Sequence, residues 1–254
     1  MKGKAMRLLS IIENRPLQII VCLALVTVTV ISMLKDSAEK HNSRGAKYAE
    51  AGKYGEAIQE YKKALELKPD SPNIHRNLGL AYYYKGMVDE AIVEYKKAIE
   101  LKPDFADAYD SLSVAYWKKG LLDKAIIECK KATNLKPKNV EFHRNLAIIY
   151  SDAGMYDEAA TEYRQVIKRK KEDVQANHHL GIALLEKEKY EEAITCFKKV
   201  LKINPNYALS HGALGFAYEK QGKKQSAIRE YEEVLRLDPK NKKAMIALER
   251  LKRQ

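Results

Sequence analysis

The sequence is poor in the residues on which several protein classes depend. Its three cysteines, Cys22, Cys129 and Cys196, exclude a disulfide-stabilised scaffold. With 12 glycines and 7 prolines in 254 residues, the chain is neither collagen-like nor of low complexity. It also lacks a glycine-rich phosphate loop, a G-x-S-x-G elbow and an H-E-x-x-H pair. We therefore predict no enzyme activity, no cofactor and no metal site.

Positive charge is what the sequence has in excess. Lys and Arg number 46 against 34 Asp and Glu, which gives a formal net charge of +12. This excess favours anionic neighbours such as lipid headgroups or acidic proteins, but it does not identify one. Hydrophobic residues make up 46% of the chain and charged residues 31%, so most of it is expected to fold as a globular body.

One long apolar run lies near the N-terminus. Residues 17–34, LQIIVCLALVTVTVISML, carry no charge. As a helix they would span about 27 Å, close to the thickness of a bilayer's hydrocarbon core. We predict a transmembrane anchor over 17–34. A basic segment, 1–16, precedes it, with an interfacial helix suggested by residues 5–13, and a short linker, 35–37, follows.

The alternative for this segment is a cleaved signal peptide. The apolar run is long for that role, and Asp36 lies where a small residue should precede a cut after Ala38. Lys and Arg near the run are equally numerous on its two sides, so charge decides the orientation only weakly. The α-amino group favours a cytoplasmic N-terminus, which would place the rest of the chain outside the cytoplasm.

The remainder of the chain repeats itself every 34 residues without an insertion. The six blocks are 38–71, 72–105, 106–139, 140–173, 174–207 and 208–241. Position 20 of every block is alanine, and position 32 is proline in all but one. Within the second block, Leu78 and Tyr82 recur at helical spacing, Gly86 interrupts the run, and Ala91 and Tyr95 resume it. Each block is thus predicted to be a helical hairpin that is stabilised by stacking on its neighbours.

Local signals mark the ends of these helices. Proline at position 32 is expected to end the second helix of a block. Four side chains at position 34 are predicted to cap the helix that follows: Ser71, Asn139, Asp173 and Asn241. Residues 242–254 carry an apolar stripe surrounded by charged residues, which predicts a C-terminal capping helix.

The repeat pattern resembles the tetratricopeptide repeat (TPR) family over residues 38–241. The resemblance implies an all-α fold, a right-handed α-solenoid of six helix-turn-helix units. Here one transmembrane helix would precede the solenoid and a capping helix would follow it. Three residues depart from the family pattern, one of them Arg44, where the family prefers leucine. Lys171 replaces the proline of the fourth block, and Glu188 replaces the turn glycine of the fifth.

In this family the first helices of successive units line a concave groove that holds a peptide or a helix of a partner protein. The resemblance implies that block positions 2, 5, 6, 9, 12 and 13 face this groove. The candidate binding residues at these positions are Arg76, Asn77, Leu80, Tyr83, Tyr84, Val114, Trp117, Arg144, Asn145, Ile148, His179 and Ile182. Trp, Tyr and Arg are enriched in binding hot spots. The competing interpretation is that Tyr83 and Trp117 pack against the next hairpin.

Two further columns suggest surfaces rather than catalysis. Histidine recurs at position 4, as His41, His75, His143 and His211, which indicates packing more than metal binding. Paired lysines recur at positions 25 and 26 of the second helices: Lys62, Lys63, Lys96, Lys97, Lys130, Lys131, Lys198 and Lys199. We predict that these convex lysines form a solvated face, with contact to anionic lipid as the alternative. No aromatic residues alternate with them, so nucleic acid is not expected as a partner.

Together these features predict a membrane-anchored adaptor or scaffold that binds a segment of a partner protein and assembles or holds a membrane-associated complex. The chain is similar in this respect to N-terminally anchored TPR proteins of bacterial envelopes. That likeness implies a single-pass protein of the bacterial inner membrane with its repeats on the periplasmic side. One alternative is a fixed structural subunit that uses its convex and terminal surfaces. Another is an import or assembly receptor.

Overall fold

The computed structural model describes residues 15–253. Within this part of the chain every regular element is an α-helix. The helices are α1 (Arg15–Glu50), α2 (Tyr54–Leu67), α3 (Pro72–Tyr84), α4 (Val88–Leu101), α5 (Ala106–Lys118), α6 (Leu122–Leu135), α7 (Val140–Asp152), α8 (Tyr156–Arg169), α9 (Val174–Glu186), α10 (Tyr190–Ile203), α11 (Ala208–Lys220), α12 (Lys224–Leu237) and α13 (Lys242–Arg253). The interfacial helix predicted over residues 5–13 lies outside the described residues.

Helix α1 runs without a break from Arg15 to Glu50. Residues 35–37, for which the sequence predicts a separate linker, are therefore helical. The reason is that no proline or glycine lies between Leu17 and Arg44 to interrupt the helix. Among the residues that the structure describes, no helix combines the length and the apolar character needed to cross a membrane. The transmembrane anchor over 17–34 stays a prediction.

The chain divides into two compact units, one ending at Ser111 and the other beginning at Leu112. In the first unit, α1 packs on α2, α2 on α3, and α3 on α4. In the second unit, each helix from α6 to α12 packs on the next one along the chain, and the first helices α9 and α11 also touch each other. Five first helices, α3, α5, α7, α9 and α11, begin at the first residue of a 34-residue block.

Small residues allow the two helices of a hairpin to approach closely. The alanines at position 20 are completely buried in all six blocks: Ala57, Ala91, Ala125, Ala159, Ala193 and Ala227. Gly79 in α3 lies directly against the ring of Tyr95 in α4, where an added Cβ would be 2.6 Å from the ring atom Cε1. Gly45 has the same relation to Tyr61. A large aromatic ring on one helix is therefore accommodated by the absence of a side chain on the other.

The predicted caps are present at three of the four sites. The Asn139 side chain accepts hydrogen bonds from the backbone N–H groups of Glu141 and Phe142. Asp173 accepts one from the N–H of Ala176, and Asn241 accepts one from the N–H of Ala244. The cap predicted for Ser71 is wrong, because its side chain makes no capping hydrogen bond. Pro72 follows it at the start of α3, and a proline leaves one fewer N–H group that needs a partner.

Helix α13 covers the exposed side of the last hairpin. Its Ala244, Ala247, Leu248 and Leu251 form one buried cluster with Ala227, Tyr231 and Val234 of α12. Its charged residues, such as Arg250 and Arg253, remain exposed. Its apolar face thus packs on the last hairpin and its charged face meets water, as the sequence predicts for a capping helix.

The turn inside each hairpin requires a left-handed backbone conformation. Five turns place a glycine there, with φ between +70° and +88°, and the turn between α9 and α10 places Glu188 there with φ +57°. A side chain in this conformation costs roughly 1–2 kcal/mol. Because glycine also makes the unfolded chain more flexible, we expect Glu188→Gly to raise the free energy of unfolding by a net of about 0.5–1 kcal/mol, measured by urea denaturation.

The control for Glu188→Gly is Glu186→Gly, which makes the same chemical change at the last residue of α9. There glycine only lowers helix propensity, so a loss of about 0.5–1 kcal/mol is expected. Equal destabilisation by the two substitutions would contradict the conformation described for Glu188.

Candidate partner-binding surface

The first helices present a column of partly exposed apolar residues at block position 9. In the first unit this column contains Ala46 and Leu80, both half-buried. In the second unit it contains Val114, Ile148 and Ile182, also half-buried, and then Phe216, which is 42% exposed. Residues outside the buried face of a helix are normally polar where they meet solvent. The partly exposed apolar side chains at position 9 therefore give the first helices of both units an apolar surface.

Tyrosine rings dominate the predicted binding residues of the first unit. Tyr84 is 62% exposed. Its ring stacks on that of Tyr54, with centroids 5.4 Å apart, and meets the edge of the Tyr83 ring at 5.5 Å. Burial raises the pKa of Tyr83, so its hydroxyl stays protonated at neutral pH. The exposed ring of Tyr84 and the half-buried rings of Tyr83 and of Tyr54, at the start of α2, form an aromatic patch, which we call the tyrosine patch (Tyr54, Tyr83 and Tyr84).

The two polar candidates of the first unit bond within the chain. Arg76 donates a hydrogen bond from Nε to the backbone carbonyl of Asp107 at 3.3 Å. Asn77 donates from Nδ2 to Oδ1 of Asn42 at 3.2 Å. Both contacts join first helices of neighbouring hairpins. In this conformation the two side chains therefore connect neighbouring hairpins, and their place in a binding groove stays a prediction.

In the second unit, two predicted hot-spot residues are also held by the next hairpin. The indole N–H of Trp117 donates to Oδ2 of Asp152 at 2.6 Å. Arg144 donates from Nη1 and Nη2 to both carboxylate oxygens of Asp173, at 3.3 and 2.8 Å. For Trp117 this geometry corresponds to the competing interpretation, contact with the next hairpin. Asn145 lies half-buried beside Arg144 in α7.

The ion pair of Arg144 and Asp173 shifts the pKa values of both partners. Hydrogen bonding to Arg144 lowers the pKa of Asp173, and hydrogen bonding to Asp173 raises the pKa of Arg144. The side chains are only 17% and 13% exposed, so solvent screens the pair weakly. Asp173 also caps α9, so one carboxylate fixes both the start of a helix and the side chain of the preceding hairpin.

The adjacent histidines of α9 have different environments. His179, a predicted groove residue, is exposed and stacks on Tyr163 with ring centroids 5.7 Å apart. His178 is buried, and its Nδ1 lies 2.8 Å from the hydroxyl oxygen of Ser210. Burial lowers the pKa of His178 to about 4, so its ring is neutral at physiological pH. Within residues 15–253, no three His, Cys, Asp or Glu side chains are grouped so as to hold a metal ion.

Three histidines of the column at position 4, His75, His143 and His211, join their hairpins to the turn before, and His41 contacts Glu60 of its own hairpin. His75 places Nδ1 2.6 Å from a carboxylate oxygen of Glu94, and its Nε2 donates to the carbonyl of Pro69 at 2.8 Å. Burial alone would lower the pKa of His75, but these two hydrogen bonds outweigh it and the pKa is raised. His143 and His211 make equivalent contacts. The role of this column is therefore structural, as the sequence suggests.

The glutamate partners of these histidines were missed by the sequence interpretation. Their signal was a second column, because Glu60, Glu94, Glu162 and Glu230 all occupy block position 23. In the fifth block both positions change together, to Asn177 and Cys196. The third block breaks this correspondence, since it keeps Glu128 at position 23 but has Tyr109 at position 4, so the two columns indicate the contact only in part.

The convex lysines are mostly exposed, and part of their charge is balanced locally. Lys63, Lys97 and Lys131 each pair with a glutamate three residues away on the same helix. Such exposed pairs contribute little to stability. Lipid contact by this face stays a prediction.

Family models describing TPR repeats match the chain at residues 45–86, 79–120 and 183–222, and further tetratricopeptide repeat models match 106–139, 128–161 and 208–241. None of these models describes a catalytic domain. No curated protein matches the chain.

Solved structures share the fold. YrrB, a TPR protein with an unusual peptide-binding site, is 20% identical with a TM-score of 0.68, and the match covers 76% of this chain and 97% of YrrB. A MamA structure is 29% identical with a TM-score of 0.60, covering 65% of this chain and 96% of MamA. The APC/C hetero-tetramer Cut9–Hcn1 contains a chain that is 19% identical with a TM-score of 0.63, covering 90% of this chain and 45% of that one. The repeat matches span well over half of the sequence and coincide with helical hairpins, so this chain belongs to the tetratricopeptide repeat family.

Proposed function

We propose that this protein is a membrane-anchored scaffold that binds a segment of a partner protein on the surface of its first helices. The observation that carries the binding role is the tyrosine patch. Most large apolar side chains of the hairpins are buried, yet Tyr84 is 62% exposed and two further rings lie against it. Stacked rings of this kind offer a large, rigid contact area that loses little entropy on binding.

The column at position 9 supports the same role. Leu80 in the first unit and Val114, Ile148 and Ile182 in the second leave part of their apolar surface in contact with solvent. An exposed apolar surface with polar neighbours is typical of a protein interaction site. YrrB shows that a TPR fold can carry a peptide-binding site. For this chain the specific binding residues are our proposal.

Helix α1 supports the proposed anchor. Its apolar side chains Ile20, Leu23, Leu25, Val26, Val28 and Met33 are 57–71% exposed. They lie in the uncharged run 17–34, and exposing such a surface to water is unfavourable, whereas a bilayer would cover it. We propose that the N-terminus faces the cytoplasm and that the repeats lie on the periplasmic side of a bacterial inner membrane. Anchoring would raise the effective concentration of the binding surface for membrane-bound partners.

The binding role is tested by mild crosslinking in native membranes, followed by gentle extraction and mass spectrometry of what is captured. Wild type is compared with Tyr84→Ala and with the control Val93→Ala, which removes an equally exposed side chain (63%) from the second helix α4. We expect Tyr84→Ala to lose the captured partner and Val93→Ala to retain it. Trp117 is left intact because its hydrogen bond to Asp152 would mix structural and binding effects.

Retention of the partner by both variants would contradict the proposed binding surface. It would favour the alternative of a fixed structural subunit that uses convex and terminal surfaces. The anchor is tested separately by alkaline carbonate extraction, in which a membrane-spanning chain remains in the pellet. Release into the supernatant would refute the anchor, and protease protection in spheroplasts would determine on which side the repeats lie.

A further inference from the structure

A second apolar site lies at the C-terminal end of the chain, between α11 and α13. It is a cavity of about 450 Å³ within the second unit. Leu209, Ala213 and Phe216 of α11 form one wall, and Ala244 and Ala247 of α13 form the other. Its volume is in the range of sites that bind small ligands or a few side chains of a peptide.

The α11 wall is not covered by the protein itself. Leu209 is 66% exposed and Phe216 is 42% exposed. Helix α13 buries its larger apolar residues, Leu248 and Leu251, against α12, and its only apolar side chains in the lining are Ala244 and Ala247. Tyr231 and Val234 of α12 complete the apolar lining. Leu209 and Phe216 thus border an open apolar space, an arrangement that leaves room for an aliphatic side chain from outside.

The rim of the cavity is basic. Lys243 and Arg250 of α13 line it, and the ammonium group of Lys220 lies 5.4 Å from the centre of the Phe216 ring. One acid balances part of this charge, since Glu219 pairs with Arg250 at 2.6 Å. Asn241, the other polar residue of the lining, is neutral. An occupant that combines apolar and negatively charged groups would therefore complement both the walls and the rim.

The charge of this chain argues against a second copy of it as the occupant. A second copy would bring a further net charge of +12 to a basic rim. Like charges at an interface disfavour association, so the complementary occupant is an acidic segment of a different protein.

We propose that this cavity, here called the C-terminal pocket (Leu209, Phe216, Lys243, Ala247 and Arg250), binds an extended acidic peptide that places an aliphatic side chain between α11 and α13 and its carboxylates beside Lys243 and beside Lys220, which lies next to Phe216. This proposal rests on the proposed function in one respect, that the protein binds a segment of another protein. It adds a site and a partner chemistry that are separate from the tyrosine patch.

The test is fluorescence anisotropy with the full chain purified in mild detergent. The probe is the fluorescein-labelled peptide GSGSELDLE with a free C-terminus. Two matched probes replace either its leucines by serine, GSGSESDSE, or its acids by amides, GSGSQLNLQ. We expect each replacement to weaken binding about tenfold or more, because the pocket requires both the apolar contact and the charge. Equal binding of all three probes would overturn the proposal.

Matched variants locate the site. Leu209→Ser is compared with Ile246→Ser, since both residues are 66% exposed and only Leu209 lines the cavity. Lys243→Glu is compared with Lys242→Glu, its exposed neighbour. We expect Leu209→Ser and Lys243→Glu to weaken binding of the parent probe about tenfold and the controls to change it less than about twofold. Unchanged helicity by circular dichroism would show that the variants are folded.

The results separate this inference from the proposed function. Tyr84→Ala is expected to leave the affinity for the probe unchanged. If Tyr84→Ala abolishes binding and Leu209→Ser does not, the acidic peptide binds at the tyrosine patch, which overturns the pocket and supports the proposed function. If wild type binds no probe, the pocket is refuted, while the crosslinking result for Tyr84 decides the proposed function on its own.

Discussion

Gly79→Ala is expected to lower the free energy of unfolding by about 2 kcal/mol, although alanine is the better helix former. The new Cβ would lie 2.6 Å from Cε1 and 2.7 Å from Cδ1 of Tyr95. Tyr95 is 1% exposed, so its ring cannot swing into solvent, and the contact between α3 and α4 must shift before it can hold the alanine and tyrosine that Ala147 and Tyr163 provide at the same positions of the fourth block. Overpacking of a core costs about 1–3 kcal/mol or more, which outweighs the roughly 1 kcal/mol that alanine gains in helix propensity. Urea denaturation followed by circular dichroism measures the difference.

The control is Gly55→Ala, where an added Cβ would meet nothing within 4 Å. Gly55 lies in α2, so this substitution is expected to stabilise the protein by about 0.5–1 kcal/mol. Opposite signs for the same chemical change would show that the Tyr95 ring, and not the loss of glycine, sets the effect. A stability of Gly79→Ala equal to or above that of wild type would contradict the packing described for α3 and α4.

The chain also contains a natural variant of this contact. In the third block, positions 8 and 24 are Ser113 and Cys129, both completely buried, in place of glycine and tyrosine. In the third block a smaller residue on the second helix thus occurs together with a larger one on the first, whereas the fourth block pairs the buried Ala147 with the buried Tyr163. Combining Gly79→Ala with Tyr95→Cys is therefore expected to cost less than the sum of the two single substitutions, because the ring that clashes is gone.

Much of the fold could be predicted because its signals are local. Helix breakers, apolar spacing and cap residues recur at fixed positions of each 34-residue block, and they identify the hairpins without knowledge of distant contacts. Residues 35–37, where the sequence predicts a short linker, continue the helix α1 although the uncharged run ends at Leu34. Hydropathy does not interrupt backbone hydrogen bonds, whereas proline or glycine would, and neither occurs there.

The binding surface could be predicted less completely, since the same residue types serve ligands and neighbouring hairpins. The family pattern places Trp117 and Arg144 on the first helices, but only the structure shows their bonds to Asp152 and Asp173. Tyr84 also contacts a neighbouring hairpin, since its ring stacks on that of Tyr54, but it remains 62% exposed. The C-terminal pocket depends on how α13 packs on α12, and a sequence pattern does not reveal that angle.

Asp173→Ala is expected to lower the free energy of unfolding by about 3 kcal/mol at pH 7. The substitution removes the cap of α9, which contributes about 1 kcal/mol, and leaves Arg144 with a mostly buried charge that has lost its best partner, which costs about 2 kcal/mol more. Asp173→Asn keeps an oxygen that can accept from the N–H of Ala176 but removes the charge, so a loss of about 2 kcal/mol is expected. Asn139→Ala removes a cap without an arginine partner and should cost only about 1 kcal/mol.

The pH dependence gives an independent measure of the ion pair. In the folded protein Arg144 lowers the pKa of Asp173. The ionised carboxylate therefore stabilises the fold above the pKa of an aspartate in the unfolded chain, which is about 4. This stabilisation is lost as the pH falls through the lowered pKa of the folded state. The stability difference between wild type and Asp173→Asn should therefore be constant from pH 5 to 7 and shrink below about pH 4. If Asp173→Ala costs no more than Asn139→Ala at pH 7, Arg144 is not held by Asp173. Its guanidinium would then be available to a bound partner, and the sequence-based assignment of Arg144 to the binding surface would gain support.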